Sequence, residues 1–299
     1  MIARYALRFG ALGYLTFLLL VPVGLVFYRT FEHGLQPAWD AVTNSQALHA
    51  LWLTLLIAAI AVPLNTLFGI VLAIALVRHR IPGRGLVNAI VDLPLALSPV
   101  VIGLSLYLLY GTGGWLSGLS DHGIKVLFSL PGMTLAAIFV SLPFVVREVV
   151  PVLREIGTDQ EQAAETLGAS PFTTFRRITM PAIRWAVCYG VVLTTARVIG
   201  EFGAVSIVSG RIEGKTETLP LYVQSQFEGF NTTGAFAASV VLALIALCTV
   251  LAMRLFRPTE ASPAMPSEGR GGLAAPAGFT RLLGRPRSHQ RTITDEEAG

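Results

Sequence analysis

The chain has 299 residues, a formal net charge of +4, 53% hydrophobic residues and only 13% charged ones. Soluble domains carry about 25% charged residues. The shortfall lies in long stretches with almost no charge, which excludes a water-soluble globule. The basic balance fits the gathering of Lys and Arg in the cytoplasmic loops of membrane proteins. No basic stripe is interleaved with aromatics, so nucleic-acid binding is not expected.

A helix needs about 20 apolar residues to cross a bilayer core, and six runs in chain order meet that requirement. The first, Phe9–Tyr28, follows Arg4 and Arg8 as the apolar stretch of a signal peptide would. It is too long for one and no small-residue cleavage site follows, so it reads as a retained span. The second run is Ala47–Val77, longer than a span needs and therefore tilted or extending past the lipid. Leu86–Tyr110 and Met133–Val150 are the third and fourth, Ala182–Val208 the fifth and Thr233–Met253 the sixth. Continuous apolar runs favour helices over a barrel, whose strands alternate with period two. Pro22, Pro63, Pro94, Pro99 and Pro143 fall inside or near span ends, where a bundle tolerates kinks. The expected fold is an all-α membrane protein, a polytopic bundle of about six transmembrane helices.

The positive charges give an orientation. With a cytoplasmic N-terminus, the inner segments hold Arg4, Arg8, Arg78, Arg80, Arg84, Arg147, Arg154, Arg176, Arg177 and Arg184, together with the basic tail. The outer segments hold only Arg29, Lys125, Arg211 and Lys215. Both termini are therefore expected inside. Trp39, Trp52, Trp115 and Trp185 fall near predicted interfaces and fit an aromatic belt. From Pro258 to Gly299 the chain turns to Pro, Gly, Ala, Ser and Arg without an apolar stripe, which predicts a disordered cytoplasmic tail after a permease domain over 1–257.

Chemistry-bearing clusters are scarce. Cys188 and Cys248 lie singly in apolar runs and read as small buried hydrophobes. The five histidines are scattered, with no metal-ligand spacing. No phosphate-cradling GxxxxGK[ST] is present; Gly111-Thr112-Gly113-Gly114 has no Lys-Ser/Thr after it and reads as a turn. A membrane-embedded enzyme would need a convergent catalytic set. A secondary transporter would need coupling-ion carboxylates and paired repeats. Neither pattern is evident.

The longest polar interruption between spans, residues 151–181, carries the strongest local signal. Thr158 or Asp159 can cap a helix with acidic residues in its first turn. Ala163, Ala164 and Leu167 form a small apolar face, and Gly168 can close the helix in a left-handed conformation. Ser170-Pro171 can start a second helix, Ser170 as cap and Pro171 at the first position. Two short helices joined by a tight turn would leave a partly apolar face exposed unless a partner covers it.

In the fifth span Arg197 and Glu201 stand one helical turn apart and can pair. They serve either as an ion pair holding the bundle or as lining of a path. Gly200 and Gly203 fit close helix packing. Asp92, just before Pro94, reads as interfacial. Glu213, Lys215 and Glu217 lie on a predicted outer loop, either solvated or facing a partner.

These motifs resemble a known family. Gln162-Ala163-Ala164, then Gly168, then Ile178-x-Met180-Pro181 is similar to the EAA loop of ABC importer permeases, with Gln162 at the usual Glu and Met180 at the usual Leu. Glu161 beside Gln162 can supply the missing charge. Ala196–Val205 and Lys215–Leu221 look like the sulfate and molybdate permease group. Pro143–Val149 and Gly157–Ala164 resemble, within it, the CysW-type subunits of sulfate/thiosulfate importers. The resemblance runs from Leu12 to about Met253.

It implies a type I ABC importer permease fold and a non-catalytic transport subunit in a prokaryotic cytoplasmic membrane. Its implied partners are a cytoplasmic ABC ATPase dimer that binds ATP and Mg, a second, CysT-like permease and an external sulfate-binding protein. Glu161, Gln162, Ala163, Ala164, Leu167, Gly168, Ala169 and Pro171 would couple to the ATPase. Arg197, Glu201 and Phe202 would line the anion path, and molybdate or tungstate is the alternative cargo.

Overall fold

The computed structural model describes residues 2–255; the expected tail of 258–299 lies outside the described residues. Every regular element among the described residues is helical. A long α1 (Ile2–Phe31) and short α2 (Leu35–Thr43) lead into α3 (Ser45–Arg78). Next come α4 (Arg84–Ala96), α5 (Pro99–Tyr110), the one-turn α6 (Gly118–Asp121) and α7 (Leu130–Glu155). The loop helices α8 (Asp159–Thr166) and α9 (Pro171–Thr174) precede α10 (Met180–Ile199). The chain then runs through α11 (Gly203–Val208), α12 (Leu219–Glu228) and α13 (Thr232–Leu255).

Five helical segments among the described residues are long and apolar enough to cross a membrane: Arg8–Phe31, Ser45–Arg78, Leu130–Glu155, Pro171–Ile199 and Thr232–Ala252. A sixth exists only as a broken pair, α4 and α5, bent by 109°. The third predicted run is thus not one straight helix. Pro99 starts α5 afresh after an extended Leu97 and Ser98, because a residue before proline is pushed out of helical conformation. The fifth predicted run also divides. α10 stops at Ile199, and α11 begins at Gly203 after the turn at Gly200–Phe202.

The scaffold is the packing of α3, α7 and α10. Lipid tails are as apolar as leucine, so helices associate in a bilayer through close fit and small residues. A Cβ built on Gly69 of α3 would stand 2.7 Å from the Val145 Cβ of α7, and one on Gly190 of α10 would stand 2.9 Å from the Val145 Cα. These two glycines therefore let three helices meet around one valine. Ala73, Val149, Leu153 and Ile183 fill the rest of that contact. Buried Asn65 donates from α3 to the Ile138 carbonyl at 3.1 Å and to Ser141 Oγ at 2.7 Å on α7, a polar tie of the kind that fixes helix register in lipid.

Two expectations about single residues change. Cys188 and Cys248 are both exposed and free; an apolar run on a spanning helix has a lipid-facing side, so its small hydrophobes need not be interior. Glu217 is buried, accepting from Gln46 Nε2 at 2.9 Å, where a solvated outer loop was one expectation. The loop before α12 folds back onto α3. Thr54 Oγ1 there accepts the Leu219 N–H at 2.8 Å and satisfies a donor at the helix start.

Candidate functional site

Two constellations stand out: the 151–181 loop, and a place where two helix breaks meet.

The loop is built as expected from its turn residues. Gly168 has φ +82°, and Ala169 N–H bonds back to the Ala164 carbonyl at 3.0 Å, a Gly-closed helix end. Ser170 Oγ accepts the Thr173 N–H at 3.3 Å and Pro171 takes the first turn of α9. A π-helical turn, Phe175–Thr179, then joins α9 to α10. Met180 N–H reaches the Phe175 carbonyl. Pro181 follows and has no N–H for the regular ladder, and π-turns occur often at functional sites.

Below this tip the loop is clamped. Arg78, in the last turn of α3, meets Glu161 at 2.8 Å (Nε–Oε2) and donates from Nη1 to the Leu153 carbonyl at 3.0 Å. Thr179 Oγ1 donates to Glu161 Oε1 at 2.7 Å. Glu161 is thus the inward anchor of α8, fastening it to the end of α3 and, through Thr179, to the π-turn that leads into α10, while Arg78 itself reaches α7. Gln162, expected beside it on the coupling face, bonds Thr158 Oγ1 at 3.1 Å and is exposed. Leu167 is 89% exposed and Phe172 70% exposed. Ala163 and Pro171 are exposed, and Ala164 and Ala169 half-buried. The arrangement is a firmly held pedestal with an apolar tip that no other described residue covers.

The second constellation is the double break. A Cβ on Gly203 would lie 2.9 Å from the Pro99 Cβ, and one on Gly103 would lie 2.6 Å from the Ala204 carbonyl oxygen. The break between α4 and α5 therefore lies against the break between α10 and α11, backbone upon backbone. Arg197 and Glu201 pair there, Nη1–Oε2 3.1 Å, with the Glu201 side chain only 2% exposed. Glu201 Oε1 also accepts the Ala204 N–H at 2.9 Å. The carboxylate caps α11 while it holds the last turn of α10. Its ion pair ties the two sides of one break rather than two separate helices. Glu201 and Phe202 thus stand in the turn, not in a spanning helix. Phe202 lines an apolar groove of about 370 Å³ with Pro220, Val223, Phe227 and Phe236. In membrane transporters, broken helices at membrane depth gather where a polar route needs backbone dipoles.

Three interactions lacked any local sequence signal: Arg78 with Glu161, Gln46 with Glu217, and Arg147 with Asp92 at 2.8 Å. Each joins residues far apart in the chain, so no short-range periodicity reports them. Among the described residues no group of three or more His, Cys, Asp or Glu is placed to hold a metal ion.

A helical membrane bundle with an anchored, apolar-tipped loop fits a membrane transport subunit. The fold agrees: a bacterial ABC transporter involved in the import of the acidic polysaccharide alginate superposes with a TM-score of 0.72 at 19% identity, covering 85% of this chain and 94% of that one. Residues 65–261 match the family described as binding-protein-dependent transport system inner membrane component, and the chain belongs to that family. Among its relatives, the sulfate transport system permease protein CysW of Synechocystis sp. is 50% identical over 249 residues, 83% of this chain and 90% of that one. The sulfate transport system permease protein CysT of Salmonella typhimurium is 40% identical over 235 residues, 78% of this chain and 85% of that one.

Proposed function

We propose that this chain is the CysW-type permease of an ATP-driven sulfate/thiosulfate importer. The observation that carries the coupling part of the reading is the pedestal loop. Its base is tied to three spanning helices through Glu161 and Arg78, while Ala163, Leu167 and Phe172 present an exposed tip. A cytoplasmic ABC ATPase pair, holding ATP and Mg, grips that tip, and its closure is transmitted through Arg78–Glu161 into α3 and α10. The permease is the two-state element that the ATPase biases. A CysT-like second permease completes the path, and an external binding protein delivers the anion. The stronger identity to CysW than to CysT supports the assignment of this chain to the first role.

The loop faces the cytoplasm and both termini lie inside, in keeping with the positive-inside distribution of arginine. The membrane is the cytoplasmic membrane of a prokaryote. Arg197 attracts the oxyanion at the double break, and Glu201 keeps its hold shallow enough for release; Phe202 borders the same route.

The deciding measurement is radiolabelled sulfate uptake in cells lacking this chain, with and without excess molybdate. Loss of uptake, restored by the intact gene and weakly inhibited by molybdate, is the expected outcome. Unchanged sulfate uptake with impaired molybdate accumulation would move the cargo to molybdate or tungstate. Gly168→Glu should abolish uptake with the protein still in the membrane, since a side chain at φ +82° is strained and would reshape the tip. Normal uptake by that variant would remove the coupling role of the turn.

A further inference from the structure

We propose that Arg147, held by Asp92, is a second binding station for the tetrahedral oxyanion, between the double break and the 151–181 loop. The inference rests on the anion-importer reading above.

Arg147 sits eight residues before the end of α7, about 12 Å inside it at 1.5 Å per residue. Asp92 sits four residues before the end of α4 at Ala96, about 6 Å along the helix, with extended Leu97 and Ser98 leading on to the double break. The guanidinium reaches one carboxylate oxygen twice, Nε–Oδ1 2.9 Å and Nη2–Oδ1 2.8 Å. The side chains are 54% and 44% exposed, although neighbouring Val145, Val146 and Val149 are buried. α7 thus spends its apolar faces inward and turns this charge pair outward, within the apolar runs Leu86–Tyr110 and Met133–Val150 and toward their inner ends.

Charges within a span almost always face a bundle interior or a watery cavity, because lipid solvates them poorly. Here the interior of this chain is on the other side. The pair therefore faces the space that this permease encloses with its partner. The path leads there directly, since α4, which carries Asp92, is one half of the broken span whose break meets Arg197 and Glu201.

The two pairs differ in a way that suits successive roles. Glu201 is fixed by the Ala204 N–H and is buried, so Arg197 keeps its partner. Among the described residues Asp92 has no bond besides Arg147. It can swing aside when a dianion offers the guanidinium two oxygens in the bidentate geometry that Arg favours. Its return then displaces the anion, which passage requires.

The test uses the complete transporter, with its second permease, ATPase pair and binding protein, in proteoliposomes supplied with ATP and radiolabelled sulfate. Arg147→Gln should lower the maximal uptake rate at least about tenfold, with the half-saturating concentration nearly unchanged. Asp92→Asn should lose less, about threefold, because the cation still binds the anion and only its displacement is weakened. The double variant Asp92→Asn/Arg147→Gln should be as defective as Arg147→Gln, although no charge is left unpaired. Co-purification of all subunits is the assembly control. If Arg147→Gln does not assemble, the double variant relieves its orphaned carboxylate and carries the test. A purely structural bridge would make the double variant transport like wild type and Asp92→Asn fail as deeply as Arg147→Gln; either result overturns the proposal. If the wild-type complex moves molybdate and not sulfate, the cargo reading has failed, and the same series read with molybdate still decides the station.

Discussion

At the 151–181 loop the charged group is turned inward and the apolar groups outward; at the double break the charge is buried with the apolar groups packed around it. Glu161 is half-buried against Arg78 and Thr179 while Leu167 and Phe172 project into solvent. Glu201 is buried and bonded to Ala204, which shares one buried cluster with Ile199 and Val205. A protruding tip needs a rigid base and can leave its face for a partner. A break inside a bundle must satisfy every freed backbone group where it stands. The two regions should therefore respond oppositely to substitution: the break through folding, the tip through coupling.

Glu201→Ala offers the largest effect on folding. It strips Arg197 of its partner and α11 of its cap, and about 3 kcal/mol of stability should be lost. Thermal unfolding of the purified complex in detergent reads this directly. An unchanged midpoint would mean that the break is held by packing alone.

Gly103→Val comes next. The new side chain would press on the Ala204 backbone, now 2.6 Å from where its Cβ would sit, at about 2 kcal/mol. Trypsin should then cut near the α10–α11 turn faster than in the parent. Equal protection would show that α5 and α11 separate without penalty.

Glu161→Gln is intermediate and tests the pedestal. Loss of the charge-assisted bonds from Arg78 and Thr179 should cost about 1.5 kcal/mol. On the proposed coupling role, uptake should fall more than stability does. A double-mutant cycle with Arg78→Ala separates the pair from its surroundings, and a coupling energy near zero would detach the loop from α3.

Leu167→Ala is the smallest on folding, within about 0.5 kcal/mol for so exposed a residue. It should nonetheless weaken co-purification of the ATPase and lower uptake. Full retention of the ATPase would place the docking contacts elsewhere on the tip.

Much of the loop was legible in the chain because its geometry is local. Gly168, Ser170 and Pro171 dictate a left-handed closure, a cap and a first helical turn within a few residues, and each does so. What could not be read was the direction of Glu161. It and Gln162 are neighbours in sequence, and only the end of α3, brought in from Arg78, decides which of the two turns inward.

Five of the six expected spans were also legible, since lipid demands long apolar runs; the third run is a bent pair instead of one helix. The breaks within those runs were not. Pro94 and Pro99 announced a kink in the third run, yet nothing local fixes its size at 109°. In the fifth run Arg197 and Glu201 have the spacing of a helical pair and do pair, but across the end of a helix. A helix and a capped turn bring residues four apart within similar reach, so spacing alone does not separate them. The short α12 went unforeseen for the same reason. Its start is secured by Thr54 and its middle by Tyr222, which accepts from Asn44 at 3.0 Å, both on distant stretches.

By itself, then, the sequence determined a helical membrane bundle, the positions of its apolar runs and a Gly-closed loop with an apolar face. Those features follow from composition, period and turn chemistry over short distances. Tertiary structure alone decided where two runs break and meet, which carboxylates are anchored, and that Arg147 and Asp92 share a face turned away from the chain's own core. These depend on backbone approaches of a few ångströms between remote segments, where the presence or absence of one Cβ decides whether helices can touch.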